Sequence, residues 1–257
     1  MPLDDLLNLP LQFALVMFRI AGLMIFAPLI GSGRIPRLVK VFFAAVLTLA
    51  MAGTMPAPVE LPHSPWQVAV GIGGELAFGL ALGMILSLVF VAAQFAGAIA
   101  GQQMGFNLVG SLDPSSDLGS NPLSDVYFIL TLFLFLLLDG HHAMMLGIRN
   151  SFDHLPPLAV GLDRPLLDTI TGMTMSATTL AVRIAAPVCV AMLVVDLALG
   201  MVGKTIPQMN LMSVGLSLRS IAGLLIVIFG LGLTAFVLDG AIDDGLSLAE
   251  TLWMPPR

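Results

Sequence analysis

The sequence predicts an all-α integral membrane protein, and three observations carry that expectation. Hydrophobic residues make up 58% of the chain and charged residues only 10%, where soluble proteins average roughly 25% charged. The charge is unevenly spread: from Leu76 to Leu112 there is not one charged side chain. The 257 residues hold five or six apolar helices of about 20 residues each with short loops, which leaves little for a separate soluble domain. A single domain over residues 1–257 is therefore expected.

The N-terminal "MPLDDLLNLPLQ" has two aspartates where a secretory signal carries basic residues. No small-residue cleavage site ends the following apolar run, so that run is expected to stay as a span. About six hydrophobic segments follow from the apolar runs: 11–30, 38–55, 67–112, 126–147, 170–202 and 211–238. Pro28 disturbs the end of the first. At 1.5 Å per residue the third would extend about 69 Å and the fifth about 50 Å, against a hydrocarbon core of about 30 Å. Each must break, bend back or leave the bilayer. Pro187 inside the fifth, then Gly200, Gly203 and Pro207 at its end, predict a kinked or interrupted helix.

Arg34, Arg37 and Lys40 place the loop after the first span on the cytoplasmic side, and Lys204 falls on the same side by alternation. The turn at 113–125 breaks this order, with Asp113, Asp117 and Asp125 and no basic residue. A re-entrant hairpin of the third and fourth segments, not crossing lipid in the ordinary way, reconciles the two.

Arg19, Arg183, Asp196 and Arg219 lie within apolar segments, where a central charge facing lipid costs about 2.5–3.5 kcal/mol. Protein or water is their expected surrounding. Arg183 and Asp196 stand about 20 Å apart along a helix, so each needs a partner on another helix or chain. An interhelical ion pair or a charge near a helix end is the preferred reading, with conduction or proton relay as the alternative.

Ala93, Gly97, Gly101 and Gly105 recur every four residues, which stacks them on one helix face and lets another backbone approach. The spacing is silent on whether that partner belongs to the same chain, but its length favours a multi-subunit bundle. Gly79 and Gly83 form a second such pair. Sixteen methionines, among them Met104, Met144, Met145, Met173, Met175 and Met209, offer adaptable surfaces as well as core filling.

The net charge of −6 comes mainly from aspartates in loops and termini, so no basic stripe suits nucleic acid. Cys189 is the single cysteine, which excludes an intramolecular disulfide and reads as a core residue. "LDGHH" brings Asp139, His141 and His142 close in sequence, but adjacent helical histidines point about 100° apart. No nucleophile elbow, phosphate loop or H-E-x-x-H pattern occurs. Neither enzymatic activity nor a metal or cofactor is expected. A secondary transporter fits buried charges and broken helices, but the two similar halves such proteins show are not evident.

Four strings in order, "RIPRLVK", "GQQMGFNLVGSLDPSS", "LDGHHAMMLGIRNSFDHLPP" and "DLALGMVGKTIPQMN", resemble the R-subunit family of the type III export gate, FliR with its virulence-secretion (injectisome) counterparts. The likeness spans nearly the whole chain. It implies a protein-conducting role in the bacterial inner membrane, within the flagellar basal body. One R subunit would join several copies of the P and Q subunits, FliP and FliQ, with FlhB and FlhA, in a closed helical assembly that passes unfolded flagellar proteins.

By the same resemblance, about 1–160 is a P-like portion and 161–257 a Q-like helical hairpin. The assembly is largely lifted out of the bilayer plane, which would accommodate the overlong segments. Gly105, Phe106, Asn107, Asp113 and Pro114 would belong to a channel plug near a methionine gasket, Asp113 and Pro114 matching the family's "DP". Arg34, Lys40, Pro207, Gln208 and Asn210 would touch partner subunits, and Ala93, Gly97 and Gly101 a neighbouring helix. A glycine-rich, uncharged plug can fill a pore by dispersion contact and still swing aside on its glycines.

Overall fold

A computed structural model of the chain describes residues 3–28, 30–31, 35–52, 64–106, 121–156, 158, 164–205 and 211–251. Those residues form seven helices and no strand: α1 (Leu3–Phe26), α2 (Arg37–Ala52), α3 (Pro65–Gln103), α4 (Pro122–Leu137), α5 (Gly140–His154), α6 (Arg164–Thr205) and α7 (Leu211–Thr251). Three helical stretches, Pro65–Gln103, Ile170–Thr205 and Val214–Glu250, are long and apolar enough to span a membrane, and α4 with α5 adds a fourth if the bent pair counts as one. The protein is thus an all-α, multi-pass membrane protein, with fewer full spans among the described residues than the six apolar segments suggest. α2, at 16 residues, is about 24 Å long, short of a hydrocarbon core.

The long segments do not break where the sequence suggested. α6 continues as one helix of 42 residues past Pro187, without the interruption. An interior proline costs about 3 kcal/mol or more through a lost hydrogen bond and a clash. Here Pro187 lies on the exposed side, while Ile184, Ala185, Val188 and Met192 on the opposite side are buried and hold the helix. α3 stops at Gln103, well before the end of its apolar run, and α7 continues to Thr251, past Leu238. The 126–147 segment is instead two helices bent by 65°, with Asp139 at φ 54° between them.

The chain builds two compact units from interleaved pieces. The boundary expected near residue 160 lies outside the described residues. The first unit comprises Met1–Leu88, Leu136–Thr174 and Ile242–Arg257. Its core gathers Val16, Ile20, Leu23, Phe78, Leu82, Ile85, Ile148 and Phe152. α1 and α3 meet backbone to backbone in it. A Cβ on Gly22 would lie 2.5 Å from the Leu76 carbonyl oxygen, one on Gly83 equally close to that of Leu23, and one on Gly79 would strike the Arg19 carbonyl. The Gly79/Gly83 pair therefore serves contact with α1 of the same chain.

The second unit comprises Val89–Phe135 and Met175–Ala241. Ala93, Ala96 and Ala100 of α3 and Met104 just after it pack there with Leu123 and Tyr127 of α4, Ile184, Val188 and Met192 of α6, and Val227 and Leu238 of α7. Phe90 adds an edge-on ring contact to Phe135 at 5.6 Å between centroids, a favourable aromatic geometry. Thr234 hydrogen-bonds the Tyr127 hydroxyl, so α4 and α7 share a polar tie inside an apolar core.

Candidate functional site

Residues 107–120 connect α3 to α4, and both ends of that connection are built with unusual care. Asn107, Asp113 and Pro114 fall outside the described residues, as do Arg34, Pro207, Gln208 and Asn210. Gly105 and Phe106 are described, and Gly105 is not part of the packing stripe. It ends α3 at φ 84°, a left-handed conformation that glycine adopts without a side-chain penalty. The Phe106 N–H donates to the Gly101 carbonyl at 3.0 Å and the Gly105 N–H to Gln102 at 3.1 Å. That 6→1 and 5→2 pair is a Schellman ending, and it explains why an apolar run stops being helix where it does.

Asn121 forms the other end. Its side-chain Oδ1 accepts from the Leu123 N–H at 3.1 Å, capping the free amides of α4, and Pro122 occupies the first helical position, where no N–H is needed. The same side chain reaches back: Nδ2 donates to the Ala98 carbonyl of α3 at 3.1 Å. Room for that reach exists because Gly101 has no Cβ, which would otherwise strike the Asn121 amide. A Cβ on Gly97 would come within 2.7 Å of the Leu123 carbonyl oxygen and 2.8 Å of Ser124 Cα. The stripe of Ala93, Gly97 and Gly101 is therefore filled by the chain's own α4, where its length had suggested another subunit.

α7 closes the third side. Met104 is fully buried, seated over Gly223, where a Cβ would lie 2.9 Å from its Sδ. The Ser220 hydroxyl stands 3.0 Å from both the Met104 and the Leu216 carbonyl oxygens and shares its single proton between them. Phe106 packs half-buried against the same core. The root of the 107–120 connection is thus held by α3, α4 and α7 together.

A second constellation lies in the first unit. Arg19, fully buried, places Nε 2.6 Å from Oε2 of the equally buried Glu75. Nη1 donates to Ser151 Oγ at 3.0 Å and Nη2 to the Leu155 carbonyl at 3.1 Å. The guanidinium also stacks over the Phe152 ring, 4.1 Å from its centroid. Glu75 Oε1 accepts from the Leu158 N–H at 3.0 Å, and Leu158, at φ 71°, lays its side chain over Gly71. Opposite charge, hydrogen bonds and ring faces together offset the desolvation of both ions. This arrangement ties α1, α3 and α5 to the chain leaving α5.

Of the other segment charges, Arg219 and Asp196 pair across α7 and α6 at 2.7 Å, both side chains about two-fifths exposed. The Nε–H does not aim at Oδ1, so this is an ion contact without an aligned hydrogen bond. Arg183 is exposed, and no carboxylate pairs with it among the described residues. Lys40 Nζ donates to the Gly31 carbonyl at 3.1 Å, tying α2 to the connection that follows α1. His141 and His142 are exposed in the first turn of α5, with no third ligating side chain grouped with them among the described residues.

Sequence reasoning missed Glu75, Asn121, Ser220, Gly223 and Leu158. Glu75 had a signal, as the lone charge in the 67–112 run, and Asn-Pro at 121–122 is a helix-start signal. Ser220 and Gly223 had none, since their roles arise only from what α3 brings to them.

Residues 11–245 match the family profile described as bacterial export proteins, family 1. The chain is 28% identical over 223 residues to the flagellar biosynthetic protein FliR of Bacillus subtilis, covering 84% of this chain and 85% of that protein. It is likewise 28% identical to FliR of Escherichia coli, over 81% of this chain and 79% of that one. The surface presentation of antigens protein SpaR of Shigella flexneri is also 28% identical, over 82% of each chain.

Proposed function

The chain belongs to the bacterial export proteins, family 1, and on that footing we propose that it is a channel-forming subunit of the flagellar type III protein export gate. In this role it works in the inner membrane at the flagellar basal body, beside the P and Q subunits FliP and FliQ and next to FlhB and FlhA. Its cargo is unfolded flagellar protein.

One observation carries the reading toward an assembly. The most apolar windows of α6 and α7 are only 22% buried, against 61% for α3. From Met175 to Val202, about 40 Å of α6, the exposed surface holds Met175, Val190, Leu193, Leu197 and Met201. That exceeds a hydrocarbon core of about 30 Å; the same helix carries Arg183 and Asp196, and α7 carries Arg219, all at least partly exposed. An apolar hairpin with charges on its outer face suits protein neighbours better than lipid.

The segment from Gly105 to about Pro122 acts as the plug. Its anchored ends support this role, because a closure needs a fixed base from which to swing, and Gly105 supplies a hinge with φ 84°. The test is export: a strain lacking the chain secretes no flagellar protein and does not swim, and the restored gene returns both. Normal flagellar secretion without the chain overturns the proposal. Likeness to SpaR favours a second reading, a virulence-secretion counterpart. A strain that swims but no longer secretes virulence proteins would select it.

A further inference from the structure

Arg183 is on the outer face of α6: Ile184 and Ala185 beside it are buried in the core, while Arg183, Pro187 and Val190 are exposed. Within the apolar span Ile170–Thr205, most stretches of about 20 residues contain position 183. A lipid layer centred on this span therefore takes in the guanidinium. Water is a poor surrounding as well, since Val182 is 55% exposed and Val190 64%. No carboxylate of the chain answers it among the described residues, for Asp196 pairs with Arg219 and Glu75 with Arg19.

The backbone at the same residue is also unsatisfied. The Arg183 carbonyl would accept from the N–H four residues on, but that residue is Pro187, which has none. One exposed spot thus presents an unanswered cation and a carbonyl without its helical donor, on a surface otherwise apolar.

We infer that Arg183 is a docking point for a helix of a neighbouring subunit that carries a carboxylate opposite it. The planar guanidinium takes a carboxylate through two parallel hydrogen bonds. A hydroxyl or amide donor on the same helix can fill the Arg183 carbonyl. The partner presents an apolar helix with one acidic residue in its facing stripe, and the charge pair sets its register along α6. This inference rests on the reading of the chain as one subunit of an export assembly.

The experiment co-expresses the chain with P- and Q-type gate subunits and purifies it in mild detergent, scoring partner recovered per chain. Arg183→Glu is expected to lower partner recovery about tenfold or more, because a like charge then faces the partner's acid. Arg183→Met removes the cation at similar length and lowers recovery too, whereas Arg183→Lys, which keeps the charge without the paired hydrogen bonds, falls between Arg183→Met and wild type. An acidic-to-lysine change on the partner restores recovery with Arg183→Glu. Wild-type recovery with Arg183→Met overturns the inference and leaves the assembly reading intact. A wild-type chain that purifies without partners overturns both.

Discussion

Replacing Glu75 by leucine leaves Arg19 as an unpaired cation in the core of the first unit. Both side chains are fully buried, so no water can take the place of the lost carboxylate. Breaking such a pair costs about 3–5 kcal/mol, because the remaining charge stays desolvated. Loss of the acceptor for the Leu158 N–H adds about 1 kcal/mol or more. At about 2–4 °C per kcal/mol for a domain of this size, the midpoint should fall by roughly 8–24 °C. The assay is thermal unfolding of the detergent-solubilised protein, followed by tryptophan fluorescence or by loss of monodispersity. The paired change Arg19→Met with Glu75→Leu removes both ions and should recover much of the loss, since an apolar pair of similar volume is often neutral. A Glu75→Leu midpoint within 2 °C of wild type, or a double variant worse than the single one, refutes the reasoning.

Gly101→Leu should drive α4 off α3, because its side chain would occupy the Asn121 amide site. Overpacking typically costs about 1–3 kcal/mol or more, read as a lower unfolding midpoint with the α1–α3 contact unaffected. Asn121→Ala removes the α4 cap and the tie to Ala98, with an expected loss of about 1–2 kcal/mol, and Asn121→Ser, which keeps only the cap, should fall between. Gly105→Val places a β-branched residue at φ 84°, a costly conformation, and should destabilise more than Gly105→Asn, which tolerates it. Deleting the segment from Gly105 to about Pro122 should raise ion leak through the assembled gate while leaving complex recovery unchanged, and an unchanged leak counts against a plug.

The helical class was legible because charge is scarce and the apolar runs are long. The ends of those runs were not. Apolarity continues from Gln103 to Leu112, so composition alone carried the third segment past its true end. What stops α3 is Gly105, and a glycine four residues after Gly101 reads equally well as the next step of a packing stripe. Only the backbone shows that it turns left-handed. For a related reason Pro187 does not interrupt α6: proline removes one hydrogen bond, but a buried stripe from Ile184 to Met192 outweighs that loss. Arg19 was rightly expected in protein. Its partner Glu75, 56 positions away, lies in a different segment, beyond the reach of local spacing. Arg219 and Asp196 show the same limit, since the pair exists only once α6 and α7 fold against each other.

The mass of the chain's assembly is the most direct test of its place in an export gate. Affinity purification in mild detergent, followed by native mass measurement, should yield a complex far heavier than the 27.0 kDa chain, containing one copy of it together with P- and Q-type export subunits. A single species at the mass of the lone chain, under conditions that keep membrane complexes intact, would contradict it.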